Sequence, residues 1–258
     1  RAARGVRGTS MASYLASRPK EAEIAAIRMA CETAGETGGA LHVVHVSCAE
    51  GLQVIEEARA AGADVTAETC PHYLLFNAAD AVQIGARAKC SPPLRPAGDV
   101  AALWRSLLAG QIDTIGTDHS PAPPERKSGG DFFAIWGGIA GCQHAFPCLL
   151  GELHRRAPES VLHAARWFAT NAAERFGLAD RKGRIAVGCD ADLVLAEFAD
   201  IPPIDPSALL TRHAFSLYEG REPGCRIVHV LRRGELIVSD GVLVRTAGRG
   251  TFQRPNHG

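Results

Sequence analysis

Leu41-His42-Val43-Val44-His45-Val46-Ser47 is the stretch from which the fold can be read. It is short, and valine lies on both of its alternating faces. Such a run predicts a strand buried on both sides, as in a parallel sheet covered by helices. Upstream, Ser17-Arg18-Pro19-Lys20-Glu21 predicts a helix start, with Ser17 as cap and Glu21 and Glu23 at the positive helix end. Ile24, Ile27 and Cys31 follow at helical spacing, and Gly35 to Gly39 stop the helix. Residues 1–17 read as loop. Downstream, a helix is predicted from Glu50 to Ala61, then a strand at Val65–Thr69 and a short strand end at Lys89-Cys90-Ser91. Val100, Leu103, Trp104, Leu107 and Leu108 define an amphipathic helix, and Ile112–Thr117 is the next strand. Helices alternating with strands predict βα units and a parallel sheet or barrel.

A long loop is expected from Asp118 to about Gly141, punctuated by Pro121, Pro123, Pro124, Gly129, Gly130, Gly137 and Gly138. Loops of that length inside a domain are usually functional. Helices are predicted near 144–156 and 159–169, and Asn171 with Glu174 reads as a capping box. After Gly183 the pattern turns to short strands: Val187–Leu195 reads as turn plus strand, and Arg226–Leu231, Glu235–Val238 and Val242–Arg245 as strands. Gly234 and Asp240-Gly241 mark the turns between them. This places a domain boundary near 181, dividing the chain into 1–180 and 181–258.

Composition narrows the function. Lys and Arg total 28 and Asp and Glu total 28 in 258 residues. That balance argues against a nucleic-acid partner or an anionic membrane surface. No apolar run approaches the roughly 18 residues needed to cross a bilayer. The eight cysteines contain no CxxC pair, so they are expected to be reduced thiols in a cytoplasmic protein rather than a zinc knuckle or a disulfide frame. The first methionine is Met11, and the sequence is expected to be part of a longer protein.

Two residues are candidates for chemistry. His45 falls at the carboxyl end of its strand, where α/β folds build their sites, and a neutral imidazole there suits a metal. A core histidine is the alternative. Asp118 ends the strand Ile112–Thr117, with the small residues Gly116 and Thr114 expected to leave space before its carboxylate. It could bind a metal or act as a base, or simply cap a turn ahead of Ser120-Pro121. His119 and His72 are weaker candidates, as are the thiols of Cys48, Cys70 and Cys90. The glycines of Trp136-Gly137-Gly138-Ile139-Ala140-Gly141 do not form a phosphate-cradling pattern. No His-x-His occurs, and two ligands fall short of the three that a catalytic zinc usually takes.

Leu41–Cys48, Glu68-Thr69-Cys70-Pro71-His72-Tyr73-Leu74, Cys90-Ser91-Pro92-Pro93-Leu94-Arg95 and Thr117-Asp118-His119-Ser120-Pro121 together resemble the cyclic amidohydrolases. This is the dihydroorotase, hydantoinase and allantoinase group of the amidohydrolase superfamily. The allantoinase pattern is nearest: Tyr14–Pro19, Ser120–Lys127, Gly130–Phe133 and Trp136–Gly141 are similar to it. The resemblance implies an α/β fold, the C-terminal strands of a (β/α)8 TIM-type barrel, joined to a small C-terminal β segment of a composite β-sandwich. It implies a binuclear divalent-metal centre, commonly zinc, bridged by a carboxylated lysine. His45 would be a metal ligand. Asp118 would be both ligand and general acid/base, and Ser91 would contact substrate through its backbone. The small-molecule substrate would be allantoin, opened to allantoate in purine breakdown, and the intact protein would be a homo-oligomer. A dihydroorotase or hydantoinase activity, or a non-catalytic scaffold, are the alternatives. The family's other metal ligands have no counterpart in this sequence, so the chain alone is expected to be inactive.

Overall fold

The computed structural model describes residues 8–245, 248 and 250–255. A helix appears where loop is expected: α1 (Met11–Ala16) forms because Ser10 caps it, its Oγ accepting from Ser13 N at 3.1 Å. Ser17 closes this helix instead of opening the next one. α2 (Lys20–Thr37) starts from Pro19 with no side-chain cap, carries Glu21 and Glu23 in its first turn, and ends at Gly38.

The parallel strands are shorter than their apolar runs. β1 (Leu41–Val43), β2 (Val65–Thr69) and β3 (Thr114–Ile115) lie side by side in that order, all parallel. α3 (Ala49–Ala60) connects β1 to β2. α4 (Pro71–Leu75), α5 (Ala78–Ile84) and α6 (Ala97–Leu108) lie between β2 and β3. The strand end expected at Lys89–Ser91 is irregular backbone following a 3-10 turn, Gly85–Ala88. α6 buries Leu103, Trp104, Ser106 and Leu107 and leaves Leu108 exposed, so its buried stripe is rotated slightly from the one predicted. β1 is not buried on both faces. Its residues are half-buried and Val44 is exposed. The physical reason is that, among the described residues, only β2 pairs with it.

One packed unit comprises residues up to Phe146 together with Ile204–Gly220. Its core includes Tyr14, Leu52, Ile55, Tyr73, Leu74, Leu103, Leu107 and Ile112. The other comprises Pro147–Pro203 and the residues from Arg221 onward, and the composition change at 181 lies inside it. Most of α7 (Ala145–Arg156) belongs there, followed by 3-10 and π turns and α8 (Asn171–Arg175). Asn171 is not an N-cap. Its backbone is helical, continuing the π turn, and Thr170 before it makes no capping bond. β4 (Leu193–Phe198), β5 (Cys225–Arg232), β6 (Glu235–Ser239) and β7 (Val242–Leu243) form an antiparallel meander. Its two tight turns, Arg233-Gly234 and Asp240-Gly241, have positive φ at both residues, as two-residue hairpins of this hand require.

Candidate active site

His45 and Asp118 sit beyond the carboxyl ends of β1 and β3, and both are bent out of the strand path. Their φ angles are 46° and 45°. An L-residue adopts this conformation seldom, although His and Asp tolerate it better than most. The bend explains why the predicted alternation of faces does not run through to His45. The chain turns there, leaving His45 half-buried and Val46 buried. Val46 N donates to Glu68 O at 2.8 Å, and Thr69 Oγ1 donates to Val46 O at 2.7 Å. These bonds tie the bend to β2.

Burial raises the Asp118 carboxyl pKa, the His45 imidazole opposes that rise, and the Glu68 carboxylate adds to it. Glu68 is the residue that sequence reasoning missed. The space expected before Asp118 is filled by it: Thr114 Oγ1 donates to Glu68 Oε2 at 3.0 Å, and the carboxylate lies so close over Gly116 that a Cβ there would collide with it. His42 Nε2 is 3.6 Å from Glu68 Oε2. The available signal was an acid in the middle of an otherwise apolar and small-residue strand.

The Ser91 segment is held from both sides. Tyr14 OH donates to Cys90 O at 2.9 Å, and Tyr73 OH donates to Pro92 O at 2.8 Å. Burial raises both phenol pKa values, so both remain protonated donors. His45 and Ser91 line one open cavity of about 790 Å³, together with Glu23, Ile27, His42 and Arg95. Asp118 is not on its wall.

The remaining candidates resolve differently. His119 works within the loop: its Nδ1 accepts from Gly141 N at 3.1 Å and Cys142 N at 3.3 Å, and its backbone pairs with Ile139. His72 is wholly buried with neither ring nitrogen hydrogen-bonded, and burial drives its pKa down to about 3. It is a neutral ring packed against Tyr73. Burial pushes the Cys48 and Cys90 thiols up to about 12 and raises Cys70 as well. None of the three is a ready nucleophile. All eight cysteines are free. An imidazole and a carboxylate fit the donor chemistry of a divalent metal. Their number does not complete a site: among the described residues no group of three or more His, Cys, Asp or Glu could hold an ion.

The site thus offers an imidazole and a carboxylate beyond the strand ends of a parallel α/β sheet, and the comparisons give the family. Residues 20–237 match the amidohydrolase family model, so the chain belongs to the amidohydrolase family. It is 46% identical over 250 residues to the allantoinase of Rubrobacter xylanophilus, covering 96% of this chain and 54% of that protein. It is 43% identical to the allantoinase of Deinococcus radiodurans, covering 94% and 53%. Among solved structures it resembles L-hydantoinase (dihydropyrimidinase) from Arthrobacter aurescens, with a TM-score of 0.90 at 32% identity. That match covers 94% of this chain and 54% of the other. The chain thus spans about half the length of the curated relatives it matches. No helix among the described residues is long and apolar enough to cross a membrane.

Proposed function

We propose that this chain is part of a metal-dependent hydrolase that cleaves a C–N bond of a cyclic amide, opening allantoin to allantoate. One observation carries the reading: His45 and Asp118 both take a positive φ immediately beyond the carboxyl ends of strands of one parallel sheet. The 46% identity to an allantoinase supports allantoin over other rings. The hydantoinase structures at about one-third identity keep hydantoin as the second reading.

In this reading His45 and Asp118 are the chain's ligands for a divalent metal, zinc in the first instance. Bound there, the metal supplies positive charge that polarises the amide carbonyl and acidifies a water. Asp118 would accept a proton from the attacking water and return it to the leaving ring nitrogen. Burial, which lifts its pKa, suits a carboxyl that must be protonated midway. Ser91 presents its backbone to the ring, on a segment pinned by Tyr14 and Tyr73. Residues 1–180 are the C-terminal strands of a (β/α)8 barrel, and 181–258 contribute to a β-sandwich. The intact protein is a cytoplasmic homo-oligomer of purine breakdown that binds neither nucleic acid nor membrane.

The purified 258-residue chain should hydrolyse no allantoin with added zinc, because two ligands do not make a catalytic site. Measurable turnover would refute that. A longer protein containing the chain should prefer allantoin over hydantoin and dihydroorotate, and Asp118→Ala should abolish its turnover. Preference for another ring moves the assignment to that substrate. A longer protein with no cyclic-amide turnover and no metal at His45 and Asp118 would be a scaffold.

A further inference from the structure

His45 keeps its positive φ only if its surroundings hold it there, since strained backbone persists where neighbouring contacts over-determine it. Beside the bonds from Val46 to β2, Ser47, two residues on, is a second anchor. It is 1% exposed. Its backbone N donates to Glu23 Oε1 at 2.7 Å, and its hydroxyl donates to Glu23 Oε2. Glu23 projects from the first turn of α2. The carboxylate is in turn paired with Arg95, whose Nη2 lies 2.7 Å from Glu23 Oε2, and both side chains are nearly buried. Arg95 donates from Nε to Ser47 Oγ at 2.9 Å and from Nη1 to Arg18 O at 2.7 Å. Each nitrogen of the guanidinium therefore has a partner, Nε on the turn after His45 and both Nη atoms at the start of α2. Arg95 itself stands four residues after Ser91, on the segment proposed to meet substrate.

The consequence is geometric. One guanidinium locks the turn carrying His45, the start of α2 and the Ser91 segment to one another. Glu23 and Arg95 also line the cavity that His45 and Ser91 share. We propose that Arg95, acting through Ser47 and Glu23, is a positioning residue: it holds the His45 backbone in its bent conformation and sets the imidazole against the Ser91 segment. A lysine cannot substitute, because an ammonium has no planar fork with which to reach three acceptors at fixed angles. The catalytic consequence rests on the reading of His45 as a metal ligand. The backbone consequence does not.

The test uses the full 258-residue chain and the variants Ser47→Ala, Arg95→Lys and Arg95→Met, with His45→Ala as reference. Crystal structures report φ at His45, calorimetric Co2+ titration reports metal affinity, and thermal midpoints report folding. Ser47→Ala removes one oxygen atom and keeps the ion pair, so it remains informative if Arg95→Met does not fold. The expected result is an extended φ at His45 and Co2+ affinity weakened about 10- to 100-fold, the usual effect of losing a ligand's supporting partner. Arg95→Lys should not restore either. Variants that keep φ near 46° and bind Co2+ within twofold of the parent overturn the proposal. If His45→Ala binds Co2+ as well as the parent does, the metal reading of His45 fails, and φ alone decides the positioning role.

Discussion

Replacing Lys127 by methionine should change the pH dependence of stability in a defined direction. Lys127 lies in the long loop after Asp118 and is 5% exposed. Its ammonium donates to Ala86 O at 3.0 Å and to Lys89 O at 3.4 Å, and it stands 5.8 Å from the Phe215 ring centre. No carboxylate pairs with it among the described residues. Burial lowers its pKa from 10.5 to about 8, a fall that the Cys90 thiol opposes and the Lys89 ammonium reinforces. The unfolded chain therefore holds this proton more tightly than the folded chain. Between about pH 8 and 10.5 unfolding takes up a proton, so stability contributed by this site rises with pH across that window. Below about pH 8 the full cost of the buried charge is present. The gap between 10.5 and about 8, at about 1.4 kcal/mol per pH unit, amounts to about 3 kcal/mol, of which about 1 kcal/mol is regained by pH 9. Other groups act in the opposite sense: the Cys48 and Cys90 thiols, raised to about 12, withdraw stability as pH climbs past 9. The comparison must therefore be the difference between parent and Lys127→Met, measured by urea unfolding at pH 7, 8, 9 and 10. The variant's loss of two carbonyl partners is a constant offset. The expected result is a parent that gains on the variant by about 1 kcal/mol from pH 7 to 9 and by about 2 kcal/mol or more by pH 10. A difference that stays flat within a few tenths would show that Lys127 does not titrate here, and that the cation is better solvated than its position implies.

Other outcomes follow from single contacts. His45→Gly should raise stability by about 0.5–1 kcal/mol, because relief of the 46° φ exceeds the entropy cost of glycine, while abolishing Co2+ binding; denaturation and titration calorimetry check both. Gly151→Ala should reverse the usual helix preference. Alanine normally gains about 1 kcal/mol over glycine inside a helix, but here its Cβ would strike the Pro223 carbonyl, and a net loss of about 2–3 kcal/mol is expected in urea unfolding. Alkylation of the native protein should label Cys142 first and Cys189 next, while the six buried thiols react only on unfolding; rapid labelling of Cys70 or Cys90, read by peptide mass, would contradict their burial.

Local chemistry made much of the fold legible. The three parallel strands, α3, α6 and the antiparallel tail could be read from period and punctuation. The hairpin turns at Gly234 and Asp240-Gly241 could be placed because few residues accept positive φ. His45 and Asp118 were legible as candidates because each is a metal-ligating type near the carboxyl end of an apolar run, although both strands end sooner than those runs. The misreadings have a common cause. Ser17 and Asn171 are good caps by type, but whether a residue opens, closes or continues a helix depends on where the neighbouring turn ends. Glu68 was passed over because alternation says which face a side chain takes, not what stands opposite it.

What the sequence determined by itself is therefore the alternation of helix and parallel strand followed by an antiparallel tail, the family, and two candidate residues of metal-ligating type. All of these follow from residue type and from spacing along the chain. Tertiary structure alone decided that both groups sit in bent backbone, that Glu68 occupies the space before Asp118, and that Glu23, Ser47 and Arg95 join three separate segments. Those facts depend on distances between residues 24 to 72 positions apart. Such distances are set by packing and electrostatics across elements, which no local pattern encodes.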